Sequence, residues 1–75
     1  MNVSEREFLS FVAGLFGVPA ETLSLETAYG SLSAWDSVMH LRLVMEVEGE
    51  YGVSFALEEI PDLKTLGDVY VRLKT

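Results

Sequence analysis

The stretch Trp35-Asp36-Ser37-Val38-Met39-His40-Leu41-Arg42-Leu43-Val44-Met45-Glu46-Val47-Glu48-Gly49-Glu50-Tyr51-Gly52 decides how this chain folds. It contains no proline, and its second residue is Asp36, a type that accepts hydrogen bonds from the free amides of a helix start. It closes on Gly52, which suits the left-handed residue after a helix. The spacing therefore predicts a helix from Asp36 to about Tyr51. Stepping about 100° per residue from Val38 places Leu43, Val44, Val47 and Tyr51 between roughly 140° and 240°, a contiguous apolar arc for a core. Val38, Leu41 and Met45 fall between roughly 300° and 0°, close to the opposite side. A small bundle buries one face of such a helix well, so part of the second strip should lie open. The exception is a last helix or a long loop folded over it, which on spacing alone is the more ordinary arrangement. An open strip would be a contact surface for another protein, and the flexible thioether of Met45 suits differently shaped partners.

The flanking sequence supplies the rest of the bundle. Ser4 and Glu7 have capping-box spacing. Phe8, Leu9, Val12, Leu15 and Phe16 share one side and Gly17 can end the turn, so a first helix is expected near residues 4–16. From Val18 to Trp35, Pro19, Gly30, Thr22, Ser24, Ser31 and Ser33 break any period. A connection of roughly 18 residues without structure of its own is unusual in a compact domain and often functional. Leu23, Leu25, Tyr29, Leu32 and Trp35 should pin it across the helices, with Trp35 as its main anchor. Residues 53–60 read as a short strand or a brief helix closed by Pro61-Asp62. Thr65 can cap a last helix carrying Leu66, Val69, Tyr70 and Leu73 at i, i+3, i+4 and i+7 spacing. The expected fold is all-α, a small four-helix bundle in one domain over residues 1–75. It has three longer helices, one short helix and a long loop between the first two.

Composition excludes several classes of function. The chain has 75 residues, 49% of them apolar, with no cysteine and one histidine. Disulfides, thiolate metal sites and a zinc site are thereby ruled out. Twelve acids against five bases give a net charge of −7, a field that repels nucleic acid and anionic lipid and attracts partners with basic patches. No apolar run approaches the ~20 residues of a membrane span, and acids stand where a secretory leader would need bases. A cytoplasmic monomer is expected, with neither nucleic acid nor membrane insertion.

Three chemical readings compete around Ser37. A helix start offers free amides and the positive end of the dipole, which suits a phosphate ester on Ser37, although serine is also an ordinary helix-start residue. Asp36, Ser37 and His40 invite comparison with a hydrolytic triad, but a cap adjacent to the serine is poorly placed to orient the imidazole. His40 also points along the core arc, as a packed imidazole would. The acid pairs Glu46/Glu50 and Glu58/Glu59 lack the loop that calcium needs and read as a solvated face.

Ala34-Trp35-Asp36-Ser37-Val38 resembles the attachment motif of the phosphopantetheine carrier proteins, whose core is Asp-Ser followed by an aliphatic residue. The likeness continues through Leu41, Leu43-Val44-Met45, Glu46-Val47-Glu48 and Glu50-Tyr51-Gly52-Val53. It extends into Glu58-Glu59-Ile60 and Leu63-Lys64-Thr65-Leu66-Gly67-Asp68-Val69. The resemblance implies an acyl carrier protein, which is not an enzyme. Ser37 would bear a 4'-phosphopantetheine arm added from coenzyme A by a phosphopantetheinyl transferase, with Asp36 assisting the transferase and its metal. Val38, Leu41, Met45 and Glu48 would dock acyl-loading and acyl-processing enzymes that carry basic patches. Ala34-Trp35 and Arg42 depart from the fatty acid synthesis carriers, Arg42 occupying a position commonly acidic in them. They point instead to free-standing carriers of specialised polyketide, nonribosomal peptide or fatty-acid-like pathways. The alternative is an unmodified acidic adaptor of the same fold, working through the Val38/Leu41/Met45 face.

Overall fold

The computed structural model describes residues 3–73. Three α-helices and two short 3-10 segments run in the order α1 (Glu5–Phe16), η1 (Ala20–Thr22), α2 (Ser37–Tyr51), η2 (Leu57–Asp62) and α3 (Leu66–Leu73). No strand is present among the described residues, and the single β-bridge pairs Ala28 with Thr65. The all-α bundle expected from the sequence is thus the fold observed.

Local chemistry sets each boundary. Ser4 and Glu7 form the capping box: the Ser4 hydroxyl accepts from the Glu7 amide at 3.0 Å, and Glu7 Oε1 accepts from the Ser4 amide at 3.4 Å. Gly17 and Gly52 close α1 and α2 at φ 73° and 70°, the left-handed geometry that costs an L-residue its Cβ clearance. At α3, Thr65 and Asp68 cap each other. The Thr65 hydroxyl accepts from the Asp68 amide at 3.2 Å, and Asp68 Oδ2 accepts from the Thr65 amide at 3.1 Å.

One core serves the whole bundle. Phe8, Val12 and Phe16 of α1 meet Leu43, Val44 and Val47 of α2 and Leu66, Val69, Tyr70 and Leu73 of α3, all buried. Phe8 packs on Tyr70 with centroids 5.3 Å apart, and the Tyr70 hydroxyl donates to the Val3 carbonyl at 2.6 Å. That bond joins the two ends of the described chain.

The long connection is fastened at both ends. Trp35 has no exposed surface and packs against Phe16 and Tyr29 at 5.6 and 5.8 Å. Three backbone bonds then tie the loop to the entry of α3: the Tyr29 amide to the Lys64 carbonyl, Leu66 to Thr27, and Gly67 to Leu25, at 2.7, 3.0 and 2.8 Å. Its serines and threonines close local turns, as when the Ser31 hydroxyl donates to the Ala28 carbonyl at 2.6 Å.

One expectation needs correction, and one choice is decided. The ambiguous segment after α2 is a 3-10 helix, and it runs through Pro61 and Asp62 rather than stopping before them. Leu63 donates to the Ile60 carbonyl at 3.2 Å, so Pro61 occupies the second position of a turn, where its fixed φ helps and its missing amide is not needed. Of the two arrangements left open for the second strip of α2, the exposed one is found. Val38 is 75% exposed, Leu41 53% and Met45 69%, while Leu43, Val44 and Val47 of the same helix are buried in the core.

Candidate functional site

The start of α2 is built by Asp36. Its backbone is extended at φ −99°, its Oδ1 accepts from the Met39 amide at 2.9 Å, and its carbonyl takes the His40 amide at 2.8 Å. Those two bonds use the third and fourth amides of the helix start. The amides of Ser37 and Val38 lie in the first turn, where no helical carbonyl is available to them. Ser37 is exposed, and its hydroxyl makes no hydrogen bond among the described residues. A nucleophilic oxygen therefore stands in solvent at the positive end of a 15-residue helix.

Beside it runs the open strip of Val38, Leu41 and Met45. Arg42 is exposed on the same side and reaches Glu46 at 3.9 Å, an i, i+4 pair in full solvent that is worth little. Glu48 differs from its neighbours. It is half-buried, and its Oε2 accepts from the Phe55 amide at 2.8 Å, which fastens the chain after α2 back onto that helix. The carboxylate expected on the docking face thus has an internal task.

His40 is buried and lies in a network that sequence spacing did not foretell. Trp35 Nε1 donates to His40 Nδ1 at 2.9 Å, and His40 Nε2 stands 2.9 Å from the Ile60 carbonyl. Both ring nitrogens are engaged away from Ser37, so no serine–histidine pair exists to activate the hydroxyl, and the triad geometry is absent. The acid pairs hold no cation cluster: no group of three or more possible metal ligands occurs among the described residues. Glu59 instead faces Arg72. No described helix is long and apolar enough to cross a membrane. A shallow hollow between α1 and η1, lined by Arg6, Leu9, Ser10 and Glu21 among others, includes no residue of the α2 start.

An accessible serine with an acid cap suits a phosphodiester-linked prosthetic group. The hydroxyl is accessible, and a helix start with unspent amides favours a phosphate beside it. Comparison with known proteins agrees. A family model for the phosphopantetheine attachment site matches residues 6–72. Among solved structures, the chain is similar to the solution NMR structure of a holo acyl carrier protein from Geobacter metallireducens. That match has a TM-score of 0.73 and 29% identity, over 92% of this chain and 76% of that one. No curated protein matches by sequence. With residues 6–72 matched by that model, the chain belongs to the phosphopantetheine-binding carrier proteins, a family that holds 4'-phosphopantetheine covalently and has no catalytic activity of its own.

Proposed function

We propose that Ser37 is the attachment residue and that the chain is a free-standing acyl carrier of a specialised pathway. The observation that carries this reading is the exposed Ser37 hydroxyl on the first turn of α2, beside Asp36 and within the matched family region. A separate transferase joins the arm of coenzyme A to Ser37 Oγ. The bond from Ser37 Oγ to the arm's phosphorus would form as that phosphorus's bond to the nucleotide breaks, 3',5'-adenosine bisphosphate would leave, and the transferase would take up the serine proton. When bound, the arm supplies a terminal thiol that holds an acyl group as a thioester.

The chain's own contribution is presentation. Asp36 spends Oδ1 on its cap and keeps Oδ2 for the transferase and its metal. Val38, Leu41 and Met45 offer an apolar strip beside the arm's anchor, and the acids around it draw in partners with basic patches. Docking then turns a bimolecular encounter between cargo and enzyme into a tethered one, with a high effective concentration. Arg42 adds a cation to this face, which favours partners other than those of fatty acid synthesis.

The test is intact-mass measurement after incubation with coenzyme A and a promiscuous phosphopantetheinyl transferase. The protein should gain one arm, and Ser37→Ala should gain none. An unmodified wild-type protein, with biological function intact in Ser37→Ala, would favour the adaptor instead.

A further inference from the structure

Two hydrogen bonds fix the state of His40. The indole N–H of Trp35 can only donate, and the Ile60 carbonyl can only accept. With 2.9 Å on either side, Nδ1 must be the acceptor and Nε2 the donor, so the ring is the neutral Nε2–H tautomer. These contacts join three places that are separate in the chain. Trp35 immediately precedes the Asp36 cap, His40 lies one turn into α2, and Ile60 belongs to η2. Trp35 is wholly buried, and Nε1 is the one polar atom of its side chain. The edge of Tyr29 closes the other side of the imidazole, with centroids 5.0 Å apart at 61°.

We infer that His40 is a positioning residue: it locks the serine-bearing start of α2 to η2, so that the arm's anchor and Leu57–Asp62 move as one body. The consequence for arm attachment rests on Ser37 being the anchor. Without the acceptor at Nδ1, the buried indole N–H has no partner, and the low-cost remedy is for Trp35 to shift. Trp35 cannot shift without dragging the adjacent Asp36, whose two bonds begin the helix. Without the donor at Nε2, η2 loses its hydrogen bond to α2 and keeps its own turns, the Arg72 contacts and the packing of Ile60 on the core.

The experiment separates positioning from mere packing. A glutamine can accept at its oxygen and donate at its nitrogen, whereas a leucine of similar bulk can do neither. In the wild-type protein, 15N NMR of the imidazole should show an unprotonated Nδ1; a protonated Nδ1 in the neutral ring would overturn the proposal. Arm addition by the transferase, measured on fully folded protein, should fall about tenfold in kcat/KM for His40→Leu, the equivalent of ~1.4 kcal/mol. His40→Gln should recover most of that loss. A folded His40→Leu modified at the wild-type rate, or a glutamine variant no better than leucine, contradicts it. Should His40→Leu not fold, Trp35→Phe keeps a ring and deletes the donor. The amide resonances of Leu57–Asp62 should then shift, and unchanged resonances would overturn the coupling. A wild-type protein that accepts no arm defeats the attachment reading alone, because the tautomer and the Trp35→Phe spectra still decide the coupling.

Discussion

Arg72 sends Nη1 to both carboxylate oxygens of Glu59, at 2.5 and 2.6 Å, and Nη2 to the Ser54 carbonyl at 2.9 Å. Its guanidinium also lies 4.8 Å from the centre of the Phe55 ring. One side chain of α3 thereby joins Glu48 in holding the passage from α2 to η2. The Arg72 hydrogen bond, helped by the Ala56 amide, holds the Glu59 carboxyl below its ordinary range. A carboxyl whose folded pKa is depressed stabilises the fold fully above its unfolded value, near 4.3, and loses that contribution as pH falls through the lower folded value. Glu59→Gln should therefore make the acid limb of the stability curve shallower below about pH 4.3, as read by circular dichroism melts. An unchanged limb would mean that the pair is idle. The sequence did not reveal this pair, because its members sit on different elements and no spacing rule links them.

Two glycines of the helices predict opposite outcomes. A Cβ on Gly49 would meet nothing within 4 Å, so Gly49→Ala should raise stability by roughly 0.5–1 kcal/mol. A Cβ on Gly67 would lie 3.0 Å from the Leu25 carbonyl, which Gly67's own amide already fixes at 2.8 Å. Gly67→Ala should thus cost about 1 kcal/mol despite alanine's better helix propensity, because it pries the long loop off α3. Thermal melts of the two variants compare them directly, and a stabilised Gly67→Ala would show that the loop contact is soft. On α2, Met45→Glu sits on a face that none of the described residues covers. It should alter stability by no more than about 0.5 kcal/mol, yet slow arm addition through a raised KM. A large loss of stability would mean that Met45 belongs to the core. Helices of this kind were legible because period and caps agree: Ser4 with Glu7, Asp36 with Gly52, and Thr65 before Leu66. The openness of the Val38 strip was legible only as one of two outcomes, since periodicity counts faces but does not say which neighbour lies on each. The Trp35–His40 link at i, i+5 and the Ile60 carbonyl fall outside any helical pairing rule and became visible only in three dimensions.

At the scale of the molecule, charge and shape work together. A body of 26 × 25 × 19 Å carries a net −7, and part of that field is felt at Tyr51. Burial, then the carboxylates of Glu50 and Glu7, push its phenol up. Such self-repulsion opposes compaction, so added salt should raise the melting temperature by screening it, and a fall on adding salt would contradict this account. On the proposed reading, the same field draws cationic partners towards the open strip of α2. On that reading, all of this serves one atom, the Ser37 oxygen. The most direct measurement is peptide-level mass spectrometry of the protein after transferase treatment, with fragmentation across residues 34–42. The account predicts the added phosphopantetheine on Ser37 and nowhere else. An adduct on Ser31, Ser33 or another hydroxyl, or none at all, would contradict it.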